Sequence, residues 1–143
     1  MPLTTDAEIG ELLAAARTIA LVGASDRPER ASHGVMGALQ DHGFRVLPVN
    51  PSITGEHVLG EYVWESLDQL GMDIDIVDVF RRSDAVEPIV DEAIKAGARA
   101  IWMQLGVVNE AAAAKAEAAG LKVVMDRCIK IELRRLGIPA IAQ

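Results

Sequence analysis

Along this chain, runs of nearly unbroken aliphatic and β-branched residues alternate with stretches whose apolar positions recur every three or four residues. The runs fall at Thr18–Val22, Arg45–Val49, Ile74–Val79, Ala100–Met103 and Lys122–Met125. A strand with one wet face alternates apolar and polar side chains, whereas near-continuous Val and Ile marks strands covered on both faces. The intervening stretches predict helices. Ile9, Leu12, Leu13 and Ala16 fall at i, i+3, i+4 and i+7 behind Thr5 and Glu8, the spacing of a capping box. Val35, Met36 and Leu39 predict a helix opening near Ser32 and closing at Gly43. Val86, Ile89, Val90, Ala93 and Ile94 predict another, begun by Ser83 and stopped by Gly97. Asn109 is placed to cap an alanine-rich helix ending at Gly120, and Ile129–Leu136 reads as a last short helix before Pro139.

Most neighbouring strands bracket one helix, which is the βαβ unit; its right-handed crossover makes the sheet parallel. The segment from Pro51 to Leu70 is longer and more irregular, with a short helical piece expected around Trp64–Leu70. The predicted fold class is therefore α/β: a Rossmann-like, doubly wound, five-stranded parallel sheet with helices on both faces and one extra helix at the N-terminus. No repeat, low-complexity tract or linker interrupts residues 1–143, which read as one domain.

Composition narrows the function. With 50% apolar and 24% charged residues the chain is globular rather than disordered. No apolar run approaches the roughly 20 residues that span a bilayer, and Met1–Gly10 carries acids without Lys or Arg, unlike a targeting peptide. A net charge of -7 argues against nucleic-acid binding. The one cysteine, Cys128, leaves no internal disulfide and no multi-cysteine metal site, and His33, His42 and His57 lack metal-binding spacing; no metal is expected. A cytoplasmic location is the default expectation, and either a homodimer or a partner protein remains open.

Ligands of open α/β sheets sit beyond the carboxyl ends of the strands. Five of the ten arginines, Arg27, Arg30, Arg81, Arg82 and Arg127, follow strands in this way, and such a concentration on an acidic chain favours an anionic ligand, above all phosphate. The loop after the first strand is the strongest local feature. Gly23 permits a tight turn, Ala24 and Ser25 allow close backbone approach, and a helix start near Ser32 adds free N–H groups. The dinucleotide fingerprint fails, since Ser25 and Pro28 stand where G-x-G-x-x-G needs glycines. The acid expected on the second strand for an NAD ribose is missing too, and Asn50-Pro51 stands there instead. A P-loop is excluded because no G-K-[ST] occurs.

Catalytic candidates are few. Cys128, with Arg127 beside it, is a candidate nucleophile, but no base is identifiable, and a small buried hydrophobe is the alternative. Asp75 and Asp78 fall within the third strand, where Asp78 is expected to close a hydrogen-bond network. Trp102 reads as core, whereas Phe80 at a strand end is placed to flank an adenine or a pantetheine arm. No nucleophile–base–orienter set is present, so no catalytic residue is named.

Five stretches carry a resemblance: IALVGAS (19–25), VLPVNP (46–51), DIVDVFR (75–81), WMQLGVVNE (102–110) and VMDRC (124–128). In this order and spacing, the chain resembles the small single-domain bacterial CoA-binding proteins, whose fold is that of the CoA-binding domain of the succinyl-CoA synthetase α subunit. The resemblance implies coenzyme A, or an acyl-CoA, bound across the carboxyl edge of the sheet. The loop of Gly23, Ala24, Ser25 and Arg27, with Ser32, would meet the pyrophosphate or 3′-phosphate; Asn50, Pro51, Phe80 and Arg81 would border the nucleotide; Gln104 and Gly106 would line the pantetheine approach. A neutral Asn50 suits CoA, because an acid there would repel the 3′-phosphate. Binding without independent catalysis is the expectation; the alternatives are an NAD(P)-dependent oxidoreductase and a CoA-dependent acyl transferase using Cys128.

Overall fold

The computed structural model describes residues 1–142. Five parallel strands, β1 (Thr18–Val22), β2 (Arg45–Val49), β5 (Ile76–Val79), β6 (Ala100–Met103) and β7 (Lys122–Val124), form one sheet in the order β2-β1-β5-β6-β7. A small antiparallel hairpin, β3 (His57–Val58) with β4 (Glu61–Tyr62), lies between β2 and β5 in the chain. The helices are α1 (Asp6–Ala15), α2 (Ala31–Asp41), α3 (Val86–Lys95), α4 (Glu110–Ala118) and α5 (Ile129–Arg135).

Period-two alternation divides the strands between two cores. Ala20, Leu47, Val77, Ile101 and Val123 face one side, packed with residues of α3 and α4. Ile19, Val46, Ile76, Ala100 and Val124 face the other, packed with residues of α1, α2 and α5. The distribution follows from handedness. The chain steps outward one way from β1 to β2 and the opposite way from β5 through β6 to β7. Right-handed crossovers therefore put α2 on one face and α3 and α4 on the other. Where the direction reverses, between β1 and β5, the flanking helices diverge and leave a crevice at the carboxyl ends.

Local signals read from the sequence hold in detail. Thr5 accepts from the Glu8 N–H at 3.2 Å while the Glu8 carboxylate reaches back to the Thr5 N–H, so the capping box on α1 is formed. Asn109 caps α4 through the Ala112 N–H at 2.9 Å. Differences appear at three places. The third sheet strand starts at Ile76, and Asp75, outside it, accepts from the Arg17 and Thr18 N–H groups at 2.8 and 3.0 Å. The helical piece near Trp64–Leu70 is one 3-10 turn at Leu67–Gln69, and the β3–β4 hairpin precedes it. Asp78 closes no network: both carboxylate oxygens are buried without a partner.

Both outer strands are covered along part of their length. Trp64 runs parallel beside Val49 of β2, donating its N–H to Pro48 at 3.0 Å and accepting from Asn50 at 2.8 Å. At the other side, the Leu3 N–H donates to the Val123 carbonyl of β7 at 2.7 Å. Among the described residues, no helix is long and apolar enough to cross a membrane.

Candidate functional site

At the carboxyl end of β1 the chain turns through Gly23, whose φ of 93° lies in the region that glycine alone enters freely. Its N–H donates to the Val49 carbonyl of β2 at 2.9 Å, and the Phe80 N–H, after β5, donates to Val22 at 2.8 Å. A Cβ on Gly23 would stand 2.3 Å from the Phe80 carbonyl oxygen. Three strand ends are thus drawn together at a position that admits no side chain. Asn50 fixes the adjoining wall, its Nδ2 donating to the Ala24 carbonyl at 2.7 Å and its Oδ1 accepting from the Ser52 N–H at 2.9 Å.

Above this floor lies a cavity of about 510 Å³. Gly23, Ala24, Ser25, Arg27, Ser32, Asn50 and Phe80 all line it, as does Arg30. Ser25 Oγ accepts from the Arg27 N–H at 3.1 Å, closing a short turn that delivers the chain to α2. Helix α2 begins at Ala31, one residue before the position read from the sequence, and its N-cap, Arg30, makes no side-chain cap. The first-turn N–H groups of Ala31 and Ser32 therefore lack a side-chain acceptor at the cavity wall, with the positive end of the helix dipole behind them. Among the described residues, neither Arg27 nor Arg30 has an ion-pair partner. A glycine floor, free backbone donors and two unpaired guanidinium groups, with the Asp26 carboxylate also at the wall, are chemistry that can receive an anion.

Phe80 and Ala31 also line a second cavity of about 600 Å³, further along the crevice toward β6 and β7. Its other walls are mainly apolar, from Val35, Leu105, Val107 and Ile131, joined by Cys128, Arg81, Arg82 and Gln104. Gln104 is buried, and its Oε1 accepts from the Ile129 N–H at 3.1 Å, fixing the start of α5.

The description "CoA binding domain" fits residues 17–134 of this chain. The chain belongs to the CoA-binding domain family. A Bacillus subtilis protein, YneT, whose function is uncharacterised, is 44% identical over 125 residues, covering 87% of this chain and 91% of that protein. Among solved structures, a protein redesigned for binding superposes with a TM-score of 0.92 at 38% identity, over 100% of this chain and 99% of its own. A hypothetical protein from Pyrococcus horikoshii gives 0.89 at 40% identity, over 95% and 96% of the two chains. The two solved structures share this chain's Rossmann-like α/β architecture.

Within this CoA-binding domain, the site residues read from the sequence separate into groups. The loop after β1, with Ser32, Asn50 and Phe80, surrounds one cavity. Arg81 stands between the second cavity and a smaller recess of about 260 Å³ on the opposite face, which Pro51 also lines. Gly106 lines none of these cavities; its N–H donates to Asp126 at 2.7 Å, shaping the loop after β6. Two arginines expected on the anion-binding rim have carboxylate partners. Arg127 pairs with Glu132 at 2.7 Å and donates to the Thr4 carbonyl at 3.2 Å, while Arg82 pairs with Asp84 at 3.4 Å. His33 lies on another side of α2, in a shallow recess with Lys130 and Arg134. Leu105, which the resemblance places with Gln104 and Gly106 on the pantetheine approach, does line the second cavity; Ala31, Val35, Val107 and Ile131 were not singled out, because single apolar residues on helices and loops carry no ligand signature.

Glu132 and Asp78 are the buried acids, and their situations are opposite. Hydrogen bonds from Arg135, and then from Arg127, hold the Glu132 carboxyl below its ordinary range despite burial. Burial alone pushes Asp78 well above its ordinary value. In the sheet Asp78 stands in register between Leu21 and Trp102, and the Trp102 indole donates to the Arg127 carbonyl at 2.8 Å rather than to the acid.

Proposed function

We propose that the chain is a single CoA-binding domain that holds coenzyme A across the carboxyl edge of its sheet and carries out no reaction of its own. The observation behind this reading is the Gly23 floor, closed by the Phe80 carbonyl on one side and Asn50 on the other, beneath an uncapped helix and the unpaired Arg27 and Arg30. The phosphates rest on the loop of Gly23, Ala24, Ser25 and Arg27 and on the N–H groups at Ser32. Asn50 faces the nucleotide without a charge that would repel a 3′-phosphate, and Pro51 holds the turn behind it. Phe80 flanks the path from nucleotide to pantetheine, with Arg81 beside it, Gln104 further along and Gly106 shaping the final loop. Cys128 lies on that path, but no base accompanies it among the residues around the cavity, which is why binding without turnover is the better reading. A reducing, cytoplasmic setting accords with the free thiol.

Isothermal titration with CoA, dephospho-CoA and NAD tests this. CoA is expected to bind at least tenfold more tightly than dephospho-CoA, and NAD weakly or not at all. Equal affinity for CoA and dephospho-CoA would remove the role given to the 3′-phosphate, and tight NAD binding would favour the oxidoreductase alternative.

A further inference from the structure

The second cavity differs in character from the first. Where the phosphate cradle is ringed by backbone donors and arginines, the adjoining chamber presents Ala31, Val35, Leu105, Val107 and Ile131. Its volume of about 600 Å³ lies within the roughly 300–1,000 Å³ of sites that enclose whole small molecules. Two large apolar side chains at its walls are left in water, Leu105 at 66% and Ile131 at 54% exposure. Single exposed apolar residues mean little, but two on one cavity, beside a phosphate cradle, are surface that an apolar ligand would cover.

The chamber also contains one buried polar group with unused capacity. Gln104 is 5% exposed, and its Oε1 is committed to the Ile129 N–H. That bond fixes the amide orientation, because an N–H cannot donate to the Nε2 end. Nε2 makes no hydrogen bond to the described residues, so the chamber supplies a carboxamide donor for a carbonyl oxygen beside its apolar walls. No carboxylate lines it. Of its two cations, Arg82 makes a solvent-exposed pair with Asp84 at 3.4 Å, and Arg81 lines both this chamber and the recess on the other face.

We infer that this chamber selects acyl-CoA thioesters bearing short, uncharged acyl chains over free CoA, with Gln104 Nε2 donating to a ligand carbonyl and Ile131, Leu105 and Val107 closing over the chain. The inference rests on the proposed placement of the nucleotide in the first cavity. Position along the sheet agrees with it. From Gly23, just after β1, to Gln104, just after β6, is two strand spacings, about 10 Å at roughly 4.8 Å each, and Phe80, just after β5, borders both cavities, so the chamber takes the end of the pantetheine arm together with the acyl chain.

The test compares calorimetric affinities for CoA, acetyl-CoA, butyryl-CoA, hexanoyl-CoA and succinyl-CoA in the unmodified chain and in Ile131→Asp. Each buried methylene is worth roughly a fourfold gain, so butyryl-CoA is expected to bind at least tenfold more tightly than CoA, with succinyl-CoA below butyryl-CoA. Ile131→Asp, on the exposed side of α5, is expected to bring the butyryl-CoA to CoA affinity ratio close to one. CoA binding with no gain from acylation would overturn the inference while leaving the proposed function standing. Tighter succinyl-CoA than butyryl-CoA binding would also overturn it, assigning the chamber to a charged acyl group through Arg81. Absence of CoA binding altogether would overturn the function first.

Discussion

Asn50 holds the loop after β1 to the end of β2: its Nδ2 donates to the Ala24 carbonyl while its Oδ1 accepts from the Ser52 N–H. Each end of the amide does a different task, so the isosteric acid cannot replace it. Asn50→Asp keeps an acceptor for Ser52 but sets a carboxylate oxygen against the Ala24 carbonyl and places a negative charge beside the phosphates. Asn50→Ala loses the hydrogen bonds alone, costing about 0.5–1.5 kcal/mol for each. CoA titration is expected to rank unmodified chain above Asn50→Ala above Asn50→Asp, with the acid at least tenfold weaker than the unmodified chain.

Gly23 and Gly106 separate two reasons for a glycine. Both have positive φ, 93° and 86°, but only at Gly23 would a Cβ meet the Phe80 carbonyl; around Gly106 the space is open. Gly106→Ala is expected to cost the backbone penalty, about 1–2 kcal/mol. Gly23→Ala adds an overpacking penalty of about 1–3 kcal/mol. Urea unfolding of the two variants measures that difference directly.

Arg27 and Arg127 both follow strands, yet the structure gives them different work. Arg27→Ala is expected to weaken CoA binding by a charge-assisted hydrogen bond, about 1.5–3 kcal/mol, without moving the melting temperature. Arg127→Ala removes a partner of buried Glu132 and should lower stability by about 1–3 kcal/mol, since Arg135 remains, and leave CoA affinity within twofold. Glu132 is held below the ordinary carboxylate range. Its pairing therefore stabilises the fold at neutral pH, and this contribution fades as acid protonates the carboxylate through its lowered folded pKa.

Asp78 should give the opposite pH dependence. Burial raises its pKa in the folded chain while the unfolded chain ionises normally. Above the unfolded value the unfolded state alone releases a proton, so stability falls with rising pH by about 1.4 kcal/mol per unit until the folded pKa is reached. Asp78→Asn does not titrate. Its stability relative to the parent is expected to rise as the pH climbs above the ordinary carboxylate range in urea titrations. A constant difference would mean that Asp78 is ionised in the fold.

Much of the architecture was legible because it is written in local pattern. Thr18–Val22, Arg45–Val49 and Ala100–Met103 are nearly continuous apolar runs, and the structure places strands with those bounds. The hairpin was not legible. His57-Val58 and Glu61-Tyr62 are too short to show a period, and the turn between them runs through Leu59, a non-glycine residue at positive φ. The tight turn after β1 could be read because Gly23 and two small residues follow a buried strand there. The commitment of Arg127 could not, since its partners, Thr4 and Glu132, lie on elements that only the fold brings together.

The segments beside β2 and β7 matter beyond the site. Parallel sheets with bare margins invite stacking of one copy onto the next. Here Trp64 occupies part of one margin and Leu3 part of the other. Trimming the first four residues would uncover that part of β7 and is expected to promote ribbon-like aggregation.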